Sequence, residues 1–221
     1  EDYINAKKNI FLNQRPDSVL VLNADNAVTS AMAKLAKGRL RMFSRRERVG
    51  DGFYAEDGTI YEARGGESSA MVLEEEIRIP GKHNVENYMA AYCATADFAG
   101  RKAWRTVAKN FTGVEHRLEL VRTLRGVDYY NDSIASSPTR TIAGLMAFDR
   151  KPVLIAGGYD KNLDYTPLGE AAIGRVKAMF LTGATAEKIR AAVTGAPGYD
   201  AAELPVFMYD DLDDAVRAAS E

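Results

Sequence analysis

One cysteine, two histidines, almost no net charge and no long apolar run are what this 221-residue chain has in short supply. Each scarcity excludes something. The single thiol, Cys93, permits no internal disulfide; it fits a reducing cytoplasm and reads as a small core residue on a helix. No stretch approaches the roughly 20 apolar residues of a membrane span, and the opening EDYINAKK lacks the pattern of a secretory leader, so no membrane insertion is expected. His83 and His116 have no second histidine or cysteine at ligand spacing, which argues against a metal centre built from them. Twenty-nine Lys and Arg against 31 Asp and Glu leave a formal charge of −2, which gives no electrostatic case for nucleic acid as a partner. There is also no Gly-x-x-x-x-Gly-Lys-Ser/Thr stretch, so the chain cannot cradle a triphosphate by itself.

What is present is the balance of a globular protein, 46% hydrophobic and 27% charged. The chain opens without methionine inside DYINAKKNIFLNQ, which reads as a helix, and stops in a second helix, DDLDDAVRAASE, with no cap after it. It is therefore expected to be part of a longer protein. SVLVLN (18–23) and RLRMFS read as short strands, with a helix from Val28 to Ala36 between them. From Gly50 to Glu76 the pattern turns to short alternating pieces around Asp57-Gly58, a hairpin signal, and predicts an antiparallel sheet decorating an α/β core. After Pro80-Gly81 comes a long helix, HNVENYMAAYCATADFAG, with Gly100 read at its C′ position, then a shorter one, RKAWRTVAKNF. The domain boundary is placed at Thr112-Gly113.

Beyond it, strands and helices alternate. LELVRTL and VDYYND flank an Arg125-Gly126 turn, and SPTRTIAGLMAF is a helix with Ser137 as N-cap and Pro138 at N1. Ile142, Leu145, Met146 and Phe148 form the stripe expected to reach a sheet. PVLIAGG, KAMFLTG and LPVFMY are strands separated by the helices PLGEAAI and TAEKIRAAV. The alternation implies an α/β fold with an open, mainly parallel, Rossmann-like sheet, whose ligands belong at strand carboxyl ends. NDSIASSP and GGYDKNLDY both sit there.

Taken singly, the polar residues of these stretches are ambiguous. Asn84 and Asn87 share a helical face and could pair with a purine edge, or Asn84 could cap its helix. Arg117 could meet a phosphate or pair with Glu119 or Glu115. Asp132 could accept from a ribose hydroxyl or cap a helix. Lys161 could hold a carboxylate or be solvated.

In order and at these spacings, YINAKKNIF, PGKHNVENYMAA, FTGVEHRLELV with YYNDSIASSPTRT, and VLIAGGYDKNLDYTPL resemble the Mur ligases of peptidoglycan synthesis. His before Arg in EHRLE, the Asn-Asp-Ser turn and Gly-Gly-x-Asp-Lys are similar to the branch that adds D-glutamate. The resemblance implies that residues 1–113 are the C-terminal part of a central, ATP-binding domain with an incomplete sheet. Residues 114–221 would then be most of an amino-acid-binding domain. It implies a cytoplasmic, monomeric enzyme in which ATP and Mg²⁺ convert the carboxylate of UDP-N-acetylmuramoyl-L-alanine to an acyl phosphate that D-glutamate attacks.

Carried over by position, Lys7 is the lysine whose carbamate would be an oxygen ligand for Mg²⁺, with Lys8 beside it as the alternative. Asn84 and Asn87, preceded by His83, lie on the adenine side. Arg117 reaches the ATP phosphates, Asp132 the ribose, and Ser136 and Lys161 the D-glutamate carboxylates. Two positions depart from the family pattern: Ile134 stands where lysine is frequent, and Ser136 where threonine is. The P-loop and most Mg²⁺ ligands are expected outside this chain, leaving the segment inactive by itself. Another amide ligase of the superfamily, such as a folylpolyglutamate-type enzyme, or a non-catalytic nucleotide-binding module are the competing readings.

Overall fold

Leu20 and Leu22 are buried on one side of strand β1 (Val19–Asn23), the opening strand of a five-stranded sheet in the computed structural model, which describes residues 2–221. The sheet runs β1-β2-β3-β4-β5, with β2 at Arg39–Ser44, β3 at Gly52–Glu56, β4 at Thr59–Arg64 and β5 at Glu67–Leu73. The β1–β2 and β2–β3 pairs are parallel, and the β3–β4 and β4–β5 pairs antiparallel. The glycine-rich segment after Gly50 is thus no separate decoration. Its first strand pairs with β2, so it extends the sheet, and Asp57 and Gly58, both at positive φ, close the β3–β4 hairpin.

Helices α1 (Asp2–Leu12) and α2 (Ala27–Met32) pack by Phe11 and Met32 against Leu20 and Leu22. A larger core lies under α3 (Lys82–Thr95) and α4 (Arg101–Asn110), where Tyr88, Tyr92 and Trp104 meet Phe53 and the fully buried Ile60, Met89 and Cys93. The Phe53 and Trp104 rings meet edge to face at 5.2 Å, a geometry worth about 1 kcal/mol beyond its buried area. Burial pushes the Cys93 thiol up to about 12, which keeps it protonated and inert. Helix α3 ends at Thr95, short of the expected Gly100, because Phe98 and Ala99 turn back onto the Thr95 carbonyl and the Thr95 hydroxyl accepts from the Trp104 indole. Gly100 instead begins α4 as its N-cap.

Charged groups close this core at two points. Arg41, 5% exposed, donates to the Cys93 carbonyl at 2.8 Å and to Asp97 at 2.6 Å, so its charge is both paired and hydrogen-bonded. Glu76 accepts from the Arg105 guanidinium, the Leu73 amide and Lys109, and chiefly through Arg105 its carboxyl is lowered from 4.5 to about 2. A folded-state value below the unfolded one stabilises above about 4.5, and the contribution fades as pH falls toward 2. Glu76→Gln is therefore expected to lower the melting temperature at neutral pH, with the gap to the parent closing on acidification through that window. Thermal denaturation at a series of pH values measures it; a gap independent of pH would mean that the carboxylate charge stabilises nothing.

The chain divides into two compact units, Glu1–Thr112 and Gly113–Glu221. In the second, β8 (Val153–Gly157), β9 (Ala178–Thr182) and β10 (Val206–Tyr209) form a parallel sheet of order β10-β9-β8. Helices α5 (Pro138–Leu145), α6 (Thr166–Ala172), α7 (Ala186–Thr194) and α8 (Leu212–Ala219) connect and follow these strands, and Leu145, Leu168, Met179, Leu181, Ile189 and Val193 fill the core. Strands β6 (Glu119–Leu124) and β7 (Val127–Asn131) form the expected antiparallel hairpin at Arg125-Gly126, but they pair only with each other and stay outside the parallel sheet. Their apolar residues Leu120, Val121 and Val127 are exposed, so no buried face draws the hairpin into the parallel ladder. The expected stripe on α5 is divided accordingly. Leu145 and Ile142 join the core and Met146 faces solvent. Phe148 lies beyond the helix, its ring edge-on to Tyr130 of the hairpin at 5.0 Å.

Candidate functional site

Two loops of the second unit leave strand carboxyl ends and meet. Residues 132–137 follow β7 and residues 158–165 follow β8, and Lys161 Nζ donates to Ser136 Oγ at 2.8 Å across 25 residues of sequence. Both side chains are exposed, so an ammonium and a hydroxyl converge on solvent where an open α/β sheet takes its ligand. The β8 loop reaches that point because β8 ends against β9. Gly157 has a φ of +147°, and a Cβ there would stand 1.6 Å from the Thr182 carbonyl oxygen. Gly158 then donates to the same carbonyl and accepts from the Thr185 amide, each at 3.2 Å.

The β7 loop is held by its own polar groups. Asn131 Oδ1 accepts from the Ser133 amide at 3.0 Å, and the Ser136 amide donates to the Ile134 carbonyl at 2.7 Å. Ser137 occupies the N-cap position of α5, but its hydroxyl makes no capping bond and lies 3.4 Å from Thr139 Oγ1; the Ser137 carbonyl begins the helix instead. Asp132 does more than end a strand. One carboxylate oxygen accepts from the Leu118 amide at 3.1 Å, and the other lies 2.9 Å from where a Cβ on Gly144 would stand. Asp132 thereby ties the segment before β6 to the face of α5.

Arg117 sits in that segment between two residues at positive φ, His116 at 64° and Leu118 at 44°. Such backbone costs on the order of 1 kcal/mol per residue and persists where surrounding bonds fix it. Here the His116 amide donates to Glu119 Oε2 at 2.8 Å, His116 Nδ1 lies 2.8 Å from Asn131 Nδ2, and the His116 carbonyl accepts from Ile134. The backbone is held on both sides of Arg117. Its exposed guanidinium forms no ion pair among the described residues, and Glu119, the partner considered from sequence, is engaged by His116. Ile134, at the position where lysine is frequent, is 41% exposed.

In the first unit, Asn84 is buried in the first turn of α3. It donates from Nδ2 to the Pro80 carbonyl at 2.6 Å and accepts from Asn87 Nδ2 at 3.1 Å, so it acts as a brace and not as the N-cap, which is Gly81. Asn87 is exposed, and His83 is half-buried beside them. Lys7 on α1 is exposed with Nζ 5.3 Å from the Tyr3 ring centroid, and Lys8 donates to Asn5 at 3.0 Å. Among the described residues no cluster of three or more His, Cys, Asp or Glu side chains could hold a metal ion.

Two contacts escaped sequence reasoning: His116 with Asn131, and Lys188 of α7 with Asp160 at 2.5 Å. Lys188, and then the Asn162 amide, holds the Asp160 carboxyl below the usual carboxylate range. The partners lie 15 and 28 residues apart, on different elements, so no local spacing announces either pair.

A parallel α/β unit with a cation and a hydroxyl meeting in the loops after β8 and β7, preceded by a mixed α/β unit, defines a two-part α/β protein. The Mur ligase middle-domain model matches residues 1–95, and the model described as the Mur ligase, glutamate ligase domain matches residues 116–221. The chain belongs to the Mur ligase family. It is 45% identical over 221 residues to the UDP-N-acetylmuramoylalanine--D-glutamate ligase of Clostridium novyi (strain NT), covering 100% of this chain and 47% of that one. The chain spans about half the length of the curated relatives it matches. Among solved structures, MurF from Acinetobacter baumannii superposes with a TM-score of 0.70 at 20% identity, over 93% of this chain and 46% of that one. The folylpolyglutamate synthase of Mycobacterium tuberculosis complexed with ADP and AMPPCP gives 0.66 at 17% identity, over 99% and 52%. At those identities the likeness is one of fold.

Proposed function

We propose that this chain is part of an ATP-dependent ligase that joins D-glutamate to UDP-N-acetylmuramoyl-L-alanine in peptidoglycan synthesis. Residues 1–113 would belong to the ATP-binding domain and residues 114–221 to the amino-acid-binding domain. The observation that carries the reading is the Lys161–Ser136 contact. A carboxylate placed there meets a charge-assisted donor and a hydroxyl at once, and the D-glutamate ligase relatives at about 45% identity supply the matching chemistry.

In this reading ATP phosphorylates the carboxylate of UDP-N-acetylmuramoyl-L-alanine, and the amine of D-glutamate displaces phosphate from the resulting acyl phosphate to form the amide. Arg117, with no ion pair among the described residues, meets the ATP phosphates, and Asp132 accepts from the ribose. Asn84 and Asn87, next to His83, serve the adenine. Ser136 and Lys161 hold D-glutamate. Mg²⁺ would take one oxygen ligand from Lys7 as its carbamate; the exposed position of that side chain leaves it open to CO₂, and the remaining ligands would come from elsewhere in the enzyme. No helix among the described residues is long and apolar enough to cross a membrane. In this reading the protein is a cytoplasmic monomer, and the free, buried Cys93 is consistent with a reducing compartment.

The test is a ligase assay of the intact protein with ATP and UDP-N-acetylmuramoyl-L-alanine, offering D-glutamate, L-lysine or diaminopimelate, with a folate substrate run in parallel. D-glutamate should be the acceptor used. Turnover of a folate or a diamino acid would move the chain to another branch, and no ligation at all would favour a non-catalytic nucleotide-binding module.

Gly144 offers a separate check on Asp132. A methyl at Gly144→Ala would press on the carboxylate from 2.9 Å and push it out of place. The expected result is a several-fold rise in KM for ATP with KM for D-glutamate unchanged, read by steady-state titration of each substrate. Equal effects on both would mean that Asp132 acts on the loop as a whole.

A further inference from the structure

We propose that the Asp160–Lys188 ion pair is a positioning device for Lys161: it neutralises the carboxylate beside that lysine, so that the Lys161 ammonium stays turned toward Ser136 and available to an anionic amino acid. The proposal rests on the reading of Lys161 as a D-glutamate contact.

The loop after β8 is fastened at two places, both to the β9–α7 segment. At its root, the Gly158 carbonyl accepts from the Thr185 amide at 3.2 Å, and Thr185, 2% exposed, is fixed in the core. At its tip, Asp160 Oδ2 accepts from Lys188 Nζ at 2.5 Å while Oδ1 accepts from the Asn162 amide at 2.8 Å. The second bond closes a turn around Lys161, with Asn162 in the left-handed region at a φ of 54°. Lys161 is thus the residue between the two ends of an Asx-type turn whose carboxylate is anchored on α7. Its Nζ reaches Ser136 at 2.8 Å.

The charges make the anchor matter. Asp160 adjoins the lysine that would receive a dicarboxylic acid. An uncompensated carboxylate there would compete for the Lys161 ammonium and repel the incoming ligand. Lys188 removes both effects. It lies on a helix that carries none of the residues assigned to substrate, so it acts only through Asp160.

A charge cycle in the intact ligase tests this, with KM for D-glutamate and for ATP and the melting temperature measured for Lys188→Gln, Lys188→Arg, Asp160→Asn and the Asp160→Asn/Lys188→Gln double variant. Lys161→Ala serves as reference. Asparagine retains an oxygen for the Asn162 amide, so the turn survives that substitution. Lys188→Gln should raise KM for D-glutamate about five- to tenfold, the range open to a half-exposed charge pair near a charged ligand. KM for ATP and the melting temperature should stay at parental values. Lys188→Arg and Asp160→Asn should remain within about twofold of the parent, and the double variant should return to the Asp160→Asn level.

A parental D-glutamate KM in Lys188→Gln, with Lys161→Ala impaired, would overturn the proposal and leave the site assignment standing. An unaffected Lys161→Ala would overturn the assignment and the proposal together. A double variant as impaired as Lys188→Gln, or a loss of melting temperature in step with the kinetic loss, would make Lys188 a structural prop and overturn the positioning role.

Discussion

Replacing Arg117 by alanine in the intact ligase is expected to lower turnover on the order of 100-fold and to leave the melting temperature where it was. A cation aimed at a transferring phosphoryl group acts mainly in the transition state, where such contacts are worth roughly 3 kcal/mol, and that energy converts to about two powers of ten in rate. The folded state loses little. The Arg117 side chain is exposed and forms no ion pair among the described residues, and the local backbone is held by His116, Leu118 and their partners Glu119, Asn131 and Asp132. Turnover and thermal denaturation of the same preparation separate the two quantities. A turnover within about threefold of the parent, accompanied by a lowered melting temperature, would make Arg117 a structural residue.

The second large effect is expected at Lys161. On the proposed reading of Lys161 as a D-glutamate contact, alanine there would remove a charge-assisted hydrogen bond to a carboxylate, a loss of about 1.5–3 kcal/mol. KM for D-glutamate should rise at least about tenfold while that for ATP changes little. The titration varies each substrate with the other two saturating. If the rise is confined to ATP, Lys161 belongs with the nucleotide and Ser136 is left as the amino-acid contact.

Much of this arrangement is legible in the order of residues because it is local. VLIAGG is a strongly apolar strand and Gly-Gly its close-packed end; Asp57-Gly58 is a hairpin turn; Ser137-Pro138 opens a helix. Each follows from backbone preferences within a few residues. The parallel sheet of the second unit follows from strand–helix alternation in the same way.

What the sequence conceals is pairing between distant segments. The apolar alternation of LELVRTL and VDYYN is compatible with a place in the parallel sheet or with a free-standing hairpin, and only the exposure of both faces distinguishes them. Arg117 beside two glutamates suggests an ion pair until the His116 amide is seen to occupy Glu119. The Lys161–Ser136 contact is legible as two candidate residues but not as one place, since their loops follow β7 and β8, which share no sheet.

The brace between Asn84 and Asn87 bears on which nucleotide the first unit would prefer. Asn84 is committed to Pro80 through its amide and to Asn87 through its carbonyl, which leaves Asn87 a carbonyl oxygen and one amide hydrogen. One acceptor and one donor match the N6 amino group and N7 of adenine in a bidentate pair, whereas guanine shows two acceptors, O6 and N7, along the same edge. Discrimination between ATP and GTP would then fall to a single exposed side chain. Its polarity is set from behind by the buried Asn84 amide.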